Sequence, residues 1–338
     1  MPRLRHADCS GPGIRRVRRG RGFSYVDDTT GEPVTDCVTR ERIDELAIPP
    51  AWEGVWICPD PRGHLQATGL DDAGRKQYLY HDKWREHRDR RKFDAMLEFA
   101  VELPRARRRL KRDLKRRGLV RERVLACSVR LLDLGFFRIG SEQYAEENET
   151  FGLATLRKRH VSFERGVIVF DYTGKNAQTR VQTIDDPAIR PTVLALKRRS
   201  GGGQELLAYR GPGGWRDLRS DEINDYLKEV IGGEVSAKDF RTWNATVLAA
   251  VSVAMRAGDV ETKTARKRVA MEATKSVAAY LGNTPAVCRA SYIDPRIFDR
   301  LDSGETIRPR LDELGGKFDP AKPSDRERVE AAVLELLD

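Results

Sequence analysis

The chain has 338 residues, enough for two domains and a sizeable core, and carries a formal charge of +10. That surplus of Lys and Arg points to a polyanionic partner, and composition alone leaves nucleic acid and an anionic membrane surface both open. No apolar run approaches the ~20 residues of a membrane span, and the Arg- and Gly-rich stretch from Met1 to Gly22 lacks the apolar core of a secretory signal.

Arg15, Arg16, Arg18, Arg19 and Arg21 read as a flexible basic arm. Residues 23–80 then read as short strands punctuated by turns. Phe23–Val26 and Gly54–Ile57 are β-prone, and Asp28-Thr-Thr-Gly31 and Asp60-Pro-Arg-Gly63 are turn sequences. Lys76-Gln-Tyr-Leu-Tyr80 alternates, which puts Lys76, Tyr78 and Tyr80 on one strand face as candidate DNA contacts. Phe93, Met96, Leu97, Ala100 and Val101 recur with helical spacing, so the fold changes character near residue 90. The expected organisation is a β-rich domain over 1–90 and a mainly helical domain over 91–338, to which the resemblance described below assigns DNA binding and catalysis respectively.

Arg105 to Arg123 holds eleven Lys or Arg in nineteen residues, with Leu103, Leu110 and Leu114 at helical spacing. Since only Asp113 and Glu122 dilute the run, phosphate contact is the favoured reading over a merely solvated helix face. Further on, His160–Phe163, Val167–Tyr172 and Thr179–Thr183 form a β-rich island among helices. Gly201–Gly203 and Gly211–Gly214 read as surface loops. Ser324 to Leu337 reads as a capped amphipathic helix packing on the body.

Absences narrow the chemistry. The five cysteines (Cys9, Cys37, Cys58, Cys127, Cys288) are an odd number without C-x-x-C spacing, which argues for a reducing compartment and against a zinc site. Gly174-Lys175 lacks the upstream Gly of a P-loop, and there is no D-x-D or His/Cys cluster for metal-assisted phosphoryl transfer. His160 opens a strand and reads as structural. An enzyme on DNA built this way needs Arg and Lys for the phosphate and its own nucleophile; no cofactor is expected.

Four segments could supply that set. Leu134–Gly140 ends an apolar helix and brings out Arg138. Asp171–Ala177 is a turn between strands with Lys175 at its tip. Lys238-Asp-Phe-Arg-Thr-Trp243 places Arg241 at the start of a helical apolar stretch. Gly282-Asn-Thr-Pro285 reads as a helix stop followed by a new start, with Thr284 as N-cap and Pro285 at the first helical position. The short helix ends in Arg289-Ala-Ser-Tyr292, and Pro295 prevents continuation. Each segment alone has an ordinary structural reading.

In their order, these blocks closely resemble the type IB DNA topoisomerases, specifically the compact poxvirus-like form also found in bacteria. The resemblance runs from about Gly74 to Tyr292 and rests on Arg75–Tyr80, Phe137–Gly140, Tyr144–Gly152, Gly174-Lys175, Lys238–Thr242 and Gly282–Tyr292. It implies Tyr292 as nucleophile, Arg138 and Arg241 as clamps on the scissile phosphate, and Lys175 as the acid for the departing 5′ oxygen. Asn283 stands where many relatives place His, which suits a hydrogen bond to a phosphate oxygen rather than proton transfer. Poxviral relatives have lysines where this chain reads Ser141-Glu-Gln-Tyr144, so cleavage-site preference is not expected to transfer; Gln143 and Tyr144 are further candidate DNA contacts.

The implied fold is α+β: a small, mainly antiparallel N-terminal sheet domain and a mainly helical domain carrying the Lys175 hairpin, closing on duplex DNA as a clamp. A cytoplasmic monomer acting on duplex DNA at the nucleoid, without ATP or metal, is expected. Tyrosine recombinases share the Arg-Lys-Arg-Tyr chemistry, but they typically carry H-x-x-R where this chain has Lys238-Asp-Phe-Arg241, and their N-terminal domains are generally helical. A non-enzymatic DNA-binding protein fits less well, because each residue the chemistry needs is present.

Overall fold

The computed structural model describes residues 3–258, 262–315 and 323–338, without the side chains of Tyr144 and Pro323. The chain forms two compact units, Met1–Lys92 and Phe93–Asp338.

The first unit is built on a five-stranded antiparallel sheet of β1 (Ile14–Arg19), β2 (Gly22–Asp27), β3 (Glu53–Ile57), β4 (Leu65–Leu70) and β5 (Lys76–Tyr80), in the order β2-β1-β3-β4-β5. A helix, α1 (Cys37–Glu45), lies between β2 and β3 in sequence, and its Asp36 cap accepts a hydrogen bond from the Thr39 amide at 2.8 Å. Ile14, Ile43, Val55, Ile57 and Ala67 make the core, each aliphatic side chain contributing roughly 1.5–3 kcal/mol by leaving water. The basic segment expected to be a flexible arm is instead β1, paired on both sides. Arg15 bonds Asp28, while Arg16 donates to the carbonyls of Ile48, Pro49 and Trp52 and lies 4.2 Å from the Phe23 ring centroid. Arg15 and Arg16 have local partners, and the strand pairing that orders the segment is not detected by charge counting.

The second unit is mainly helical. Its elements are α2 (Asp82–Asp113, starting within the first unit), α3 (Arg121–Leu134), α4 (Glu142–Asn148), β6 (Val161–Glu164), β7 (Val167–Gly174), β8 (Gln178–Ile184) and α5 (Arg190–Arg198). A two-stranded hairpin follows, β9 (Ala208–Gly211) with β10 (Gly214–Asp217), so the Gly211–Gly214 loop of the sequence reading is a hairpin turn. Then come α6 (Ser220–Ile231), α7 (Ala237–Arg256), α8 (Lys263–Leu281), α9 (Pro285–Ser291), α10 (Arg296–Asp302), α11 (Arg308–Glu313) and α12 (Pro323–Leu337). Strands β6, β7 and β8 form one antiparallel sheet, as the β-rich island suggests. Helix α7 is apolar nearly all round, with Phe240, Trp243, Ala249 and Val253 buried, so it runs through the core and offers a rigid base for whatever its ends carry. No helix among the described residues is long and apolar enough to cross a membrane.

The basic run departs from its sequence reading. It divides between the end of α2 and the start of α3, and six of its arginines are engaged within the protein. Asp113 is the hub of one group, accepting from Arg109 at 3.0 Å, Arg116 at 3.1 Å and the Tyr226 hydroxyl at 2.8 Å. Glu222 and Glu229 of α6 take Arg121 and Arg109. Arg108, Lys111, Arg112, Lys115 and Arg117 remain exposed, while the carboxylates that hold the others lie both inside the run, at Asp113, and far away in sequence.

Candidate active site

Helix α3 closes with the Gly135 amide on the Leu131 carbonyl, and the chain leaves in extended conformation. Phe137 is fully buried, 5.1 Å from the Phe170 ring and 6.3 Å from that of Tyr172, so it anchors the exit segment to β7. The next residue is Arg138. Its carbonyl accepts from the Leu153 amide and that of Ile139 from the Ala154 amide, both at 2.8 Å. Gly140 adopts φ +79°, and a Cβ on Gly152 would lie 2.4 Å from the Gly140 nitrogen. Two backbones cross here at a distance only glycine permits, and the crossing fixes where Arg138 starts.

Arg241 lies in the second turn of α7, whose first turn is capped by Ser236 and Asp239. Only 3% exposed, it donates to the carbonyls of Phe136 and Leu281 and to Asn283 Oδ1. Burial, and then the charge of Arg138, push its pKa down to about 10. Its Nε is buried without a hydrogen-bond partner.

Helix α8 stops at Gly282 in the left-handed conformation, φ +64°. Thr284 then caps α9, accepting from the Val287 amide at 3.3 Å, with Pro285 in the first turn, as the sequence places them. Tyr292 follows as the last cap. Its amide donates to the Cys288 carbonyl at 2.9 Å, and its own carbonyl accepts from the buried Thr246 hydroxyl of α7 at 3.3 Å. The ring centroid lies 5.2 Å from the Arg241 guanidinium carbon. Burial pushes the phenol up, but the charges of Arg241 and Arg138, with Lys238 beyond them, outweigh it and leave the pKa below that of an ordinary tyrosine.

Asn283 sits between the two arginines. Its Oδ1 accepts from Arg138 Nη2 and from Arg241 Nη2, each at 3.0 Å. A guanidinium has donors only, so the amide turns its oxygen and not its nitrogen toward them. Lys175 stands at the tip of the β7–β8 hairpin, followed by Asn176 and Ala177 at positive φ. It lines one pocket with Arg138, Arg241 and Arg180, and among the described residues no carboxylate lines that pocket. Arg180 and Lys238 are the cations that sequence reading missed. Arg180 lies opposite Tyr172 across the hairpin and donates to the Tyr280 carbonyl. The signal was faint: Gln178 and Arg180 share a strand face by alternation just beyond Lys175.

The remaining candidates lie elsewhere. In the first unit Lys76, Tyr78 and Tyr80 do share a face of the edge strand β5, with the tyrosine rings stacked at 6.1 Å and Lys76 Nζ 5.8 Å from the Tyr78 centroid. Tyr78 is 46% exposed. In the second unit Gln143 is exposed on α4 and bonds Glu147 at 2.9 Å, while the side chain of Tyr144 lies outside the described residues. His160 is buried against Phe151, accepts the Arg157 amide at Nδ1, and is pushed down to about 4 by burial, which makes it a neutral structural residue. Among the described residues, no group of three or more His, Cys, Asp or Glu is placed to hold a metal ion.

Comparison with known proteins covers both units. Residues 81–306 match the family model described as the catalytic core of eukaryotic DNA topoisomerase I, and residues 22–71 match that of the bacterial DNA topoisomerase IB N-terminal domain. DNA topoisomerase 1B of Acanthamoeba polyphaga mimivirus is 32% identical over 287 residues, covering 83% of this chain and 85% of the viral protein. DNA topoisomerase I of Monkeypox virus is 21% identical over 287 residues, 83% of this chain and 88% of the relative. DNA topoisomerase 1 of Schizosaccharomyces pombe is 28% identical over 160 residues, 47% of this chain and 19% of that protein.

Proposed function

The chain belongs to the type IB DNA topoisomerases, and from that premise we propose that it relaxes supercoiled duplex DNA through a transient 3′-phosphotyrosyl link at Tyr292. The observation that carries this reading is the convergence of Arg138 and Arg241 on one acceptor oxygen, that of Asn283, with the Tyr292 ring under Arg241. Two guanidiniums, planar and charged at neutral pH, are already aimed at a point where a phosphate oxygen would satisfy both. The buried, unpartnered Nε of Arg241 leaves a further donor.

The steps follow from charge. A phenol of ordinary pKa ~10 is mostly protonated at neutral pH; the arginine charges that lower the Tyr292 pKa favour loss of its proton to water. The phenolate oxygen attacks phosphorus, and the bond from phosphorus to the 5′ oxygen breaks. Arg138 and Arg241 neutralise the charge that builds on the non-bridging oxygens, and Lys175 protonates the departing 5′ oxygen. The incoming phosphate displaces Asn283 Oδ1 from the guanidiniums, freeing its amide to donate a hydrogen bond. One phosphodiester replaces another, so the step is near thermoneutral and the 5′ hydroxyl reverses it. Relaxation draws on the supercoils, which removes any need for a nucleotide. A single site suffices for nicking and rotation, consistent with a monomer, and Lys76, Tyr78 and Tyr80 supply charge and aromatic surface for DNA on the first unit.

Incubation with negatively supercoiled plasmid in EDTA, without nucleotide, followed by an SDS quench, tests the whole reading. Relaxed topoisomers and protein covalently attached to a 3′ end are expected. An unchanged linking number, attachment to a 5′ end, or strand-exchange products would overturn it.

A further inference from the structure

Helix α12 begins well past Tyr292 and lies outside both matched segments, yet its first turns reach the framework beneath the site. Arg326 is the contact. Its Nη2 donates to the Asp133 carbonyl at 2.6 Å, to Asp133 Oδ1 at 2.9 Å and to Asn244 Oδ1 at 3.0 Å. Its Nε bonds Glu330 at 3.0 Å, one turn further along the same helix. The side chain is 14% exposed and that of Asp133 1%. Val329, Val333 and Leu337 bury the apolar face of α12, so the guanidinium is presented by a packed helix.

Both partners of Arg326 adjoin a site arginine. Asp133 ends α3 just before the segment Gly135–Arg138, and Asn244 lies one turn after Arg241 on α7. The last carbonyls of α3 have no helical partners of their own. The Asn244 amide donates to the Asp133 and Leu132 carbonyls, and Arg326 adds a cation at the negative end of the helix dipole. One guanidinium therefore ties the end of α3, from which the Arg138 segment leaves, to the helix that carries Arg241. A direct cross-link runs above it, from Arg241 to the Phe136 carbonyl. On this reading, Arg326 fixes the lower end of a frame whose upper end holds the two guanidiniums on Asn283.

We propose that Arg326 is a positioning residue for DNA cleavage, setting the spacing of Arg138 and Arg241 from outside the site. The proposal rests on the roles given above to Tyr292 and the two arginines. Removing Arg326 leaves Asp133 paired with Arg107 at 2.8 Å and Arg130 at 2.6 Å, so the buried carboxylate stays compensated and the fold is retained. The effect expected is on geometry: displacement of a catalytic group by a fraction of an ångström to an ångström lowers the rate while leaving DNA affinity intact.

The test uses the full chain with a suicide duplex that traps the covalent adduct in a single turnover. Arg326→Gln is expected to lower the cleavage rate constant about ten- to a hundredfold with unchanged Kd for DNA. Arg326→Lys, which keeps a charged donor but loses the second arm that Nε extends to Glu330, is expected to fall between. The rise of cleavage rate with pH should move to higher pH in Arg326→Gln, because looser arginines depress the Tyr292 phenol less. Val333→Ala serves as control: it destabilises α12 without touching the network, and at matched Tm loss it should cleave as wild type with an unmoved pH profile. Wild-type cleavage by both Arg326 variants, or an equal loss in Val333→Ala, would overturn the brace alone. No adduct with wild-type protein, or an adduct with Tyr292→Phe, would instead bring down the reading of the site and the brace with it.

Discussion

Two clusters of arginine in the second unit are made of the same residue and differ in what surrounds them. Around Asp133, Arg107, Arg130 and Arg326 meet Asp133, Asp186 and Glu330, and the cations are matched by carboxylates within 3 Å. Around Tyr292, the acceptors for Arg138, Arg180 and Arg241 are carbonyls and one amide oxygen, and among the described residues the pocket they line with Lys175 has no carboxylate. The first cluster is electrically closed and structural. The second has a surplus of positive charge that no carboxylate among the described lining residues offsets, and this surplus lowers the phenol's pKa.

Substitutions should separate the clusters by what they damage. The largest effect is expected from Tyr292→Phe, which removes the proposed nucleophile: adduct should fall below detection, at least about ten-thousandfold down, with DNA binding and Tm intact. Full relaxation by this mutant would end the assignment. In the closed cluster Asp133→Ala leaves three buried cations short of a partner and should cost about 3–5 kcal/mol in denaturant unfolding; a smaller loss than at an exposed pair would show that the charges are not buried together. Arg138→Ala and Arg241→Ala should do the reverse, lowering single-turnover cleavage by about a hundred- to a thousandfold. Little loss of stability is expected for Arg138, which is half-buried.

Asn283→Ala should slow cleavage only about tenfold, since one neutral hydrogen bond is at stake. A loss equal to that of Arg138→Ala would refute its subordinate role. The smallest effect to measure is a pH displacement. On the proposed mechanism Tyr292 attacks as phenolate, and its pKa lies below the ordinary value, so cleavage should rise with pH and level off before pH ~10. In Arg241→Ala the midpoint should shift upward, with the surplus charge reduced; an unmoved midpoint would mean that another group titrates.

Much of the site was legible in the chain because it is specified over a few residues. Gly282, Thr284 and Pro285 stop one helix and start another by local backbone rules, and the structure has them at the end of α8 and the start of α9. The alternation of 76–80 and the hairpin around Lys175 are likewise local. The start of α2 was missed because its charged first turns lack an apolar stripe. Strand β1 was missed because its arginines mask its pairing.

What the sequence alone determined was the order of the chemical groups and the local geometry of the segments that carry them. Tertiary structure decided which cations meet a carboxylate and which meet only neutral acceptors. Arg107 and Arg138 look alike in a sequence, but the partners of Arg107 lie 26 and 223 residues away, and only folding brings them within reach. It also placed Arg180 in the pocket and turned the Asn283 oxygen toward two guanidiniums. Charge balance is a sum over neighbours in space, and neighbours in sequence do not define it.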